Sequence, residues 1–378
     1  MERAPLLLAC AAVFLDAAGY GIVVPTVPLR ASDLHLSSSL LGLVFAAYPL
    51  VHLVVTLPLG LLCDRWGRKP VLVLGMLVLA VSSLSFSLSS SFLQLFVSRG
   101  IQGMAAASTW VASLALLTDL TPSCRRGRTL GWVTASMGLG AIAGPPLGGW
   151  TAEVGGYPTP FRFWALLSLL LALLSLAVLR EPPHSRLSNF RSSSFLGVVR
   201  NPDALLSCLV ALVIWMGFGF LEPFAPPYLS SHLGLGQGEI GMMFGLAALF
   251  LAASRPVFGS ASDRFGRRRV IGWGMLFCSA SFPVVLFVGS PWQAAAVFCL
   301  LGLAIGIPLS SALPLITEAV PEAGTASALF LMAYSVGHVV GPVVGGAVLS
   351  TGDFALLLFP YSLLSLVLGL LSLRGLRR

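Results

Sequence analysis

Two short, similar stretches of this chain decide its fold: GLLCDRWGRKP at residues 60–70 and GSASDRFGRRR at residues 259–269. They share the pattern Gly-x-x-x-Asp-Arg-aromatic-Gly-Arg and lie 199 residues apart in a chain of 378. Each copy joins two apolar segments that are long enough to cross a membrane. A repeat at this spacing predicts two similar helical bundles, the arrangement from which many secondary transporters are built.

The composition supports a membrane protein. Hydrophobic residues make up 57% of the chain and charged residues only 10%, whereas soluble domains carry about 25% charged residues. The chain therefore has too little polar surface to cover a water-exposed protein of its size. Its six cysteines form no C-x-x-C pair and lie mostly in apolar runs, so we expect no metal site and no other cofactor.

Apolar runs of about 20 residues, bounded by charged residues or by Gly, Pro and Ser, predict the membrane spans. The predicted spans are residues 5–29, 40–62, 71–90, 93–118, 129–152, 161–179, 204–229, 239–259, 270–289, 291–317, 325–350 and 353–373. The predicted fold class is an all-α integral membrane protein with twelve transmembrane helices in two pseudo-symmetric six-helix bundles. The bundles comprise residues 1–180 and 204–378, with a cytoplasmic connector at 181–203.

The net charge of +8 is distributed unevenly along the chain. The basic residues are almost all arginines, and they fall in alternate loops, in the connector and in the C-terminal tail. This asymmetry follows the positive-inside rule, which places both termini in the cytoplasm of a protein that spans the cell (inner) membrane. It argues against a nucleic-acid partner, and we expect a monomer surrounded by the lipid bilayer.

Three further sequence pairs repeat between the two halves. LTDLTP at residues 117–122 corresponds to ITEAVP at residues 316–321, and PTVP at residues 25–28 corresponds to the Pro-x-x-Pro run at residues 223–226. The pattern Gly-x3-Gly-Pro-x2-Gly-Gly occurs in span 5 and again in span 11. Four matches in register predict an internal duplication.

These motifs resemble those of the major facilitator superfamily along essentially the whole chain. The first stretch is similar to the superfamily's cytoplasmic loop between spans 2 and 3. Asp64 and Asp119 can pair with Arg68, and such a cluster would hold the cytoplasmic face closed until the halves rock apart. The alternative is that the arginines only anchor the topology. The predicted gate residues of both copies are Gly60, Asp64, Arg65, Gly67, Arg68, Asp119, Asp263, Arg264, Arg267 and Glu318.

Two more motifs resemble elements of the superfamily. Glycines four residues apart in span 5 form a face that a neighbouring helix backbone can approach closely, and the proline among them permits a bend. The residues that resemble the superfamily's antiporter motif are Gly140, Gly144, Pro145, Gly148 and Gly149. Ordinary packing of small residues is the alternative. In span 4, Arg99 and Gln102 resemble the R-x-x-Q-G element, in which a buried arginine needs a partner and could serve a proton relay.

Two acids lie at membrane depth: Asp16 near the middle of span 1 and Glu222 in the outer half of span 7. Because a charged carboxylate is costly there, each is a candidate for binding a cation in exchange for protons. The alternative is that each is permanently protonated and hydrogen-bonded to a neighbouring helix. Side chains that could complete a site for an organic cation, or simply pack in the core, are Tyr20, Trp215, Tyr334 and His338.

The surroundings of both acids resemble the drug:proton antiporter branch, which includes the vesicular amine transporters and their bacterial relatives. The chain departs from the eukaryotic members, since span 11 has no acid and residues 30–39 form only a short loop. The resemblance implies a proton-coupled antiporter that exports cationic or lipophilic amines and drugs by alternating access. The alternatives are proton-coupled transport of another small metabolite and a non-transporting membrane receptor or scaffold. No enzyme motif occurs, so we do not expect an enzyme.

Overall fold

Helices make up almost all of the computed structural model, which describes residues 3–181, 201–320 and 323–374. Within these ranges the chain forms twelve long α-helices and no strand. The helices are α1 (Arg3–Asp33), α2 (Ser38–Trp66), α3 (Arg68–Ser87), α4 (Phe92–Leu120), α5 (Arg126–Gly155), α6 (Pro158–Val178), α7 (Pro202–Leu233), α8 (Gln237–Phe265), α9 (Arg267–Ser281), α10 (Pro291–Ala319), α11 (Ala323–Leu349) and α12 (Phe354–Arg374). Most of the predicted connector, Pro321 and the tail beyond Arg374 lie outside the described residues.

Eleven of these helices are long and apolar enough to cross a bilayer, which confirms the all-α membrane fold. The exception is α5, where glycine, proline, serine and threonine replace larger apolar side chains over much of the length. The predicted span at 270–289 is less regular than expected: α9 ends at Ser281 and continues as a 3-10 helix, Phe282–Phe287. Pro283 explains the change, because it cannot donate a backbone hydrogen bond to the preceding turn.

Apolar side chains cover the outer surface as well as the core. The clearest case is α6, which exposes the leucines Leu166, Leu169, Leu170, Leu173, Leu174 and Leu176. An exposed apolar face of this extent needs lipid or a protein partner to cover it. The protein is therefore a multi-pass membrane protein.

The helix ends show that the duplication extends beyond the predicted motifs. Ser91 caps α4 by accepting a hydrogen bond from the backbone N–H of Gln94, and Gln94 Oε1 accepts one in return, at 2.7 Å, from the N–H of the residue before Ser91. Ser290 and Gln293 repeat this arrangement at the start of α10, with a return bond of 2.8 Å. Each pair satisfies backbone donors that the first helical turn leaves free.

The helices cluster into two compact units. The first unit contains α1, most of α2, α3 to α6 and the segment Gly236–Gly245 at the start of α8. The second unit contains the segment Ser37–Ala46 at the start of α2, α7, most of α8 and α9 to α12. In the first unit, α1 packs on α5 and α4, and α3 packs on α4 and α6. In the second unit, α7 packs on α11 and α10, and α9 packs on α10 and α12. These pairings correspond helix by helix, which confirms the predicted pseudo-symmetry.

Candidate functional site

An acid on α7 and a histidine on α11 form the centre of the candidate site. Glu222 is 1% exposed and His338 is 3% exposed. Nε2 of His338 lies 3.3 Å from Oε2 of Glu222, at the long end of the range for a hydrogen bond. Burying a carboxylate is costly unless a partner hydrogen-bonds to it or neutralises it, and an imidazole can do both. Both residues were predicted site residues, but their contact was not predicted.

Aromatic rings surround the imidazole of His338. Its ring centroid lies 5.6 Å from that of Trp215, 5.8 Å from that of Tyr334 and 6.2 Å from that of Phe218. Trp215 and Tyr334 also pack edge to face, with their centroids 4.4 Å apart. The structure thus brings Trp215 and Tyr334 to the imidazole that contacts Glu222. A buried carboxylate whose histidine partner packs among aromatic rings suits the binding of an organic cation.

Glycines allow α11 to approach α7 closely enough for this cluster to form. Gly219 lies one turn before Glu222, and a Cβ atom built on it would lie 2.9 Å from Cδ of Pro342 and 3.3 Å from Cδ2 of His338. Gly341 lies against the backbone of α7 in the same way. Contacts of this kind require residues without side chains. They place the imidazole beside the carboxylate.

Asp16 lies near the middle of α1 in the first unit. Its Oδ1 atom is buried and has no hydrogen-bond partner among the described residues. The adjacent turn is fixed, because Nε1 of Trp164 on α6 donates a hydrogen bond of 2.7 Å to the carbonyl oxygen of Leu15. A carboxylate held in this way inside an apolar helix is positioned to bind a proton or a cation.

Arg99 on α4 is 0% exposed and lies between two tyrosines. Its guanidinium carbon lies 4.4 Å from the ring centroid of Tyr20 and 4.8 Å from that of Tyr48. Nη1 donates a hydrogen bond of 2.6 Å to Oε1 of Gln102, the other polar residue of the R-x-x-Q-G element. The two cation–π contacts were not predicted. The Tyr20 ring, predicted to face an organic cation, therefore contacts a cation that belongs to the protein itself.

Arg68 at the start of α3 forms the first predicted ion-pair cluster. Its Nε atom lies 2.7 Å from Oδ2 of Asp119 on α4, and Nη2 lies 3.2 Å from Oδ1 of Asp64 on α2. Nη1 donates a hydrogen bond of 3.1 Å to the carbonyl oxygen of Cys63. Gly67 joins α2 to α3 with a φ of 102°, a conformation that favours glycine. The cluster ties three helices of one unit together.

Arg267 forms the second predicted cluster in the other unit. Nη2 of Arg267 lies 2.7 Å from Oε1 of Glu318 on α10 and 2.9 Å from Oδ1 of Asp263 on α8. The geometry repeats that of the first cluster, and the second cluster again joins three helices of one unit. The structure leaves the remaining gate-motif residues at exposed or open positions, namely Arg65, Arg264 and Gly60.

The glycine face of α5, predicted to let a neighbouring helix approach closely, packs directly on α1. A Cβ atom built on Gly140 would lie 2.6 Å from a backbone oxygen of α1, and one built on Gly144 would lie 2.8 Å from a Cα atom of α1. One built on Gly148 would lie 2.6 Å from another α1 Cα atom. Pro145 also contacts α1, whereas Gly149 faces the start of α8. No residue larger than glycine fits along this contact unless α1 moves.

Comparison with known families agrees with this geometry. The family model of the Major Facilitator Superfamily matches residues 9–221 and 207–378 of the chain. The chain belongs to the major facilitator superfamily. As a member, it is a transporter and not an enzyme.

Relatives within the superfamily include bacterial drug-resistance proteins. Multidrug resistance protein 1 of Bacillus subtilis is 28% identical over 343 residues, which cover 88% of this chain and 87% of that protein. Quinolone resistance protein NorA of Staphylococcus aureus is 26% identical over 343 residues, which cover 89% of this chain and 87% of NorA. The predicted resemblance to the bacterial multidrug members of the superfamily is therefore confirmed.

Solved structures of superfamily members share the fold. A bacterial homologue of the human lysosomal transporter Spinster, in an inward-facing and occupied conformation, has a TM-score of 0.83 at 17% identity, with 97% of this chain and 94% of that chain covered. The nucleoside transporter NupG has a TM-score of 0.78 at 15% identity, with 98% of this chain and 99% of that chain covered. At these identities the likeness concerns the fold alone.

One contact of the superfamily loop was not predicted. Glu181 lies three residues after the end of α6, and its two carboxylate oxygens accept hydrogen bonds of 2.6 Å and 2.9 Å from the backbone N–H groups of Arg68 and Lys69. An acid at this position satisfies free donors at the start of α3 and complements the helix dipole. The sequence shows only an isolated acid at the start of the connector, with no local pattern that links it to residue 68. Glu181 therefore belongs to the first ion-pair cluster.

Proposed function

We propose that this transporter is a proton-coupled antiporter that exports cationic or lipophilic amines and drugs by alternating access. The observation that carries the proposal is the buried carboxylate of Glu222, which contacts His338, whose ring in turn lies close to Trp215 and Tyr334. In surroundings of low dielectric constant, a negative charge beside aromatic rings favours a hydrophobic cation over a neutral or anionic solute. The names of the bacterial relatives, which refer to multidrug and quinolone resistance, agree with a drug substrate.

Asp16 supplies a second acid to the proposed function. Its buried Oδ1 atom lacks a hydrogen-bond partner among the described residues, so either a proton or the cationic substrate can neutralise this carboxylate. An acid that accepts one or the other, but not both, couples the movement of protons to that of the substrate. We assign Arg99 and Tyr20, which contact each other on α4 and α1, to the same proton pathway.

The remaining motifs receive proposed roles in the transport cycle. The clusters around Arg68 and Arg267 hold the cytoplasmic side closed, and the glycine face of α5 lets that helix bend during the cycle. Both termini are cytoplasmic, the protein lies in the inner membrane as a monomer, and residues 181–203 connect the halves 1–180 and 204–378. The distribution of arginines between alternate loops supports this orientation.

Transport into proteoliposomes with an imposed pH gradient tests the proposal. Wild-type protein should accumulate cationic dyes and amines when the lumen is acidic, but not neutral or anionic solutes. Asp16→Asn should abolish binding of cationic substrates, because an amide cannot carry the charge that holds them. Glu222→Gln should abolish or strongly reduce pH-driven uptake, since the proton-carrying step is lost.

A matched control is Asp353→Asn, because Asp353 is exposed in the loop before α12. This variant should transport at the wild-type rate. Wild-type rates for both amide variants of the buried acids would refute the mechanism. Uptake of neutral solutes alone would favour a metabolite transporter, and the absence of any uptake would favour a receptor or scaffold.

A further inference from the structure

Three consecutive arginines begin α9, and the third differs from the other two in having no acid partner among the described residues. Arg267 is paired in the second ion-pair cluster, and Arg268 is paired with Asp203. Arg269 is exposed, and its Nη1 atom donates only a long hydrogen bond of 3.5 Å to the carbonyl oxygen of Phe265. Positive charge is unfavourable at the start of a helix, because the helix dipole is positive there. The start of α9 therefore carries a cation without a balancing anion in the part of the chain that the structure describes.

The corresponding place in the first unit holds a carboxylate. Glu181 accepts hydrogen bonds from the backbone N–H groups of Arg68 and Lys69, and a Cβ atom built on Gly67 would lie 2.5 Å from the Cδ atom of Glu181. Gly266 has the equivalent position before α9, and no described atom lies within 4 Å of a Cβ atom built there. The start of α9 is therefore open at the place where an anion covers the start of α3.

A second exposed arginine lies nearby, at the end of α12. The Oγ atom of Ser372 donates a hydrogen bond of 2.7 Å to the carbonyl oxygen of Arg268, and a Cβ atom built on Gly272 would lie 2.6 Å from the Cγ atom of Leu373. Arg374 follows directly on α12 and is exposed, with no acid partner among the described residues. The contact between α9 and α12 thus brings two exposed arginines to the same end of the second unit.

An exposed apolar side chain lies one turn from each of these arginines, towards the middle of its helix. Trp273 is four residues from Arg269 on α9, and Leu370 is four residues from Arg374 on α12. Residues four apart lie on the same face of a helix. Tryptophan is common where a bilayer meets water, and exposed apolar faces of a membrane protein are covered by lipid. The surface therefore combines positive charge at the helix ends with apolar contact beside it.

The charges at this end of the second unit do not balance. The described acids here are Asp203, Asp263 and Glu318, and each is already paired with Arg267 or Arg268. Exposed arginines without a described acid partner are Arg264, Arg269 and Arg374. Guanidinium groups bind phosphate through charge-assisted hydrogen bonds, and basic pockets between membrane helices bind lipid head groups. The missing anion is therefore one that a membrane supplies.

The equivalent surface of the first unit lacks the residues in question. By the offset of 199 residues between the two loop motifs, Pro70 corresponds to Arg269, and Leu74 corresponds to Trp273. The start of α3 thus has an anion of its own, and it also lacks the third positive charge.

We propose that Arg269 and Arg374 bind the phosphate head group of an anionic phospholipid, whose acyl chains lie along Trp273 and Leu370. The head group brings to the start of α9 the negative charge that Glu181 brings to the start of α3. It also relieves the repulsion between two arginines that the contact of α9 with α12 brings to one helix end. This lipid site lies apart from the buried acids, and it does not depend on which substrate is transported.

Titration of the purified full-length protein with phosphatidylglycerol in an uncharged detergent tests this proposal, with native mass spectrometry to count the bound lipid. Phosphatidylcholine with the same acyl chains and inorganic phosphate are the comparison ligands. The wild type should bind phosphatidylglycerol about tenfold more tightly than phosphatidylcholine, because only the former has a net negative charge. Inorganic phosphate should bind more weakly than phosphatidylglycerol, since it has no acyl chain to contact Trp273. Equal affinity for the two lipids, or equal affinity for inorganic phosphate, would overturn the proposal.

Substitutions of the two arginines locate the site. Arg269→Gln and Arg374→Gln should each lower the affinity for phosphatidylglycerol about fivefold, and the double variant should lower it about 25-fold. Arg269→Lys and Arg374→Lys keep the charge and should retain most of the affinity. The control Arg162→Gln removes an exposed arginine near the start of α6 and should bind the lipid as the wild type does. Circular dichroism of each variant checks that the helical fold is intact.

The outcomes separate a defined lipid site from a general effect of charge. Unchanged affinity in the folded double variant would overturn the assignment of the site to Arg269 and Arg374. An equal loss of affinity in Arg162→Gln would show that net charge holds the lipid, and it would overturn the assignment as well. The amount of bound lipid does not depend on transport, so failure of the proposed function would leave this test unaffected.

Discussion

At the scale of single residues, Arg99 shows how a membrane protein keeps a fixed charge away from water. A buried guanidinium needs compensation for its lost hydration. Tyr20 and Tyr48 provide it through their ring faces, and Gln102 provides it through a hydrogen bond of 2.6 Å. The planar guanidinium can contact both rings at once, which a point charge on a flexible chain cannot do.

Replacement of Arg99 by lysine should therefore destabilise the protein even though the charge is kept. We expect a loss of about 2 kcal/mol, the upper range for cation–π contacts at desolvated sites. Unfolding of the purified protein in detergent, followed by circular dichroism during heating, measures the change in the midpoint. Arg162→Lys is the control, because Arg162 is exposed on α6. Equal midpoints for the two variants would contradict the stacking argument.

At the scale of helices, the same glycine contact occurs twice. Glycines of α5 meet the backbone of α1, and glycines of α11 meet the backbone of α7. Asp16 and Glu222 lie on the two helices that these faces contact. The glycine faces therefore set the positions of the helices that carry the buried acids. The residues that resemble the antiporter motif thus determine where α1 lies.

Gly144→Leu tests this contact. A leucine there would collide with Ala18 of α1, because a Cβ atom built on Gly144 already approaches the Ala18 Cα atom to 2.8 Å. We expect transport in proteoliposomes to fall by more than tenfold, since α1 and its acid are displaced. Gly138→Leu is the matched control on the same helix, because no atom lies within 4 Å of a Cβ built there. Normal transport by a folded Gly144→Leu protein would show that α5 does not constrain α1.

At the scale of the whole molecule, the two ion-pair clusters are related by the same sequence offset. Arg68 and Arg267 each begin a helix, and each binds an acid four residues earlier and an acid at the end of the next helix. Each cluster lies inside one unit and far along the chain from the buried acids. A change in either cluster should therefore affect how fast the transporter cycles and leave substrate recognition intact.

Asp64→Asn should slow exchange while keeping the order of preferred substrates. The substitution removes a charged partner of Arg68 but leaves its bond to Asp119. Initial rates of uptake for a panel of cations, measured in proteoliposomes, give both quantities in one experiment. Asp33→Asn, at an exposed position at the end of α1, is the control. A changed order of substrates at an unchanged rate would contradict the assignment of this cluster to gating.

Much of the fold could be predicted from the sequence because a bilayer imposes local rules. Apolar length determines the spans, and the duplication repeats them, so the helices and their pseudo-symmetry followed from the chain alone. The pairing of Arg68 with Asp64 was also predictable, since the two residues are only four positions apart, on either side of the short turn between α2 and α3. Even the exception, α5, follows from local composition, because its small residues lower its hydropathy.

The meeting of Glu222 with His338 was decided only by tertiary structure. The two residues are 116 positions apart, and no periodicity relates the rotation of α7 to that of α11. The same holds for Arg99 between two tyrosines of other helices and for Glu181 at the start of α3. Hydropathy specifies that a helix crosses the membrane, but glycine contacts between backbones fix its rotation and depth. Those two quantities determine which buried side chains meet and therefore where the chemistry of this transporter lies.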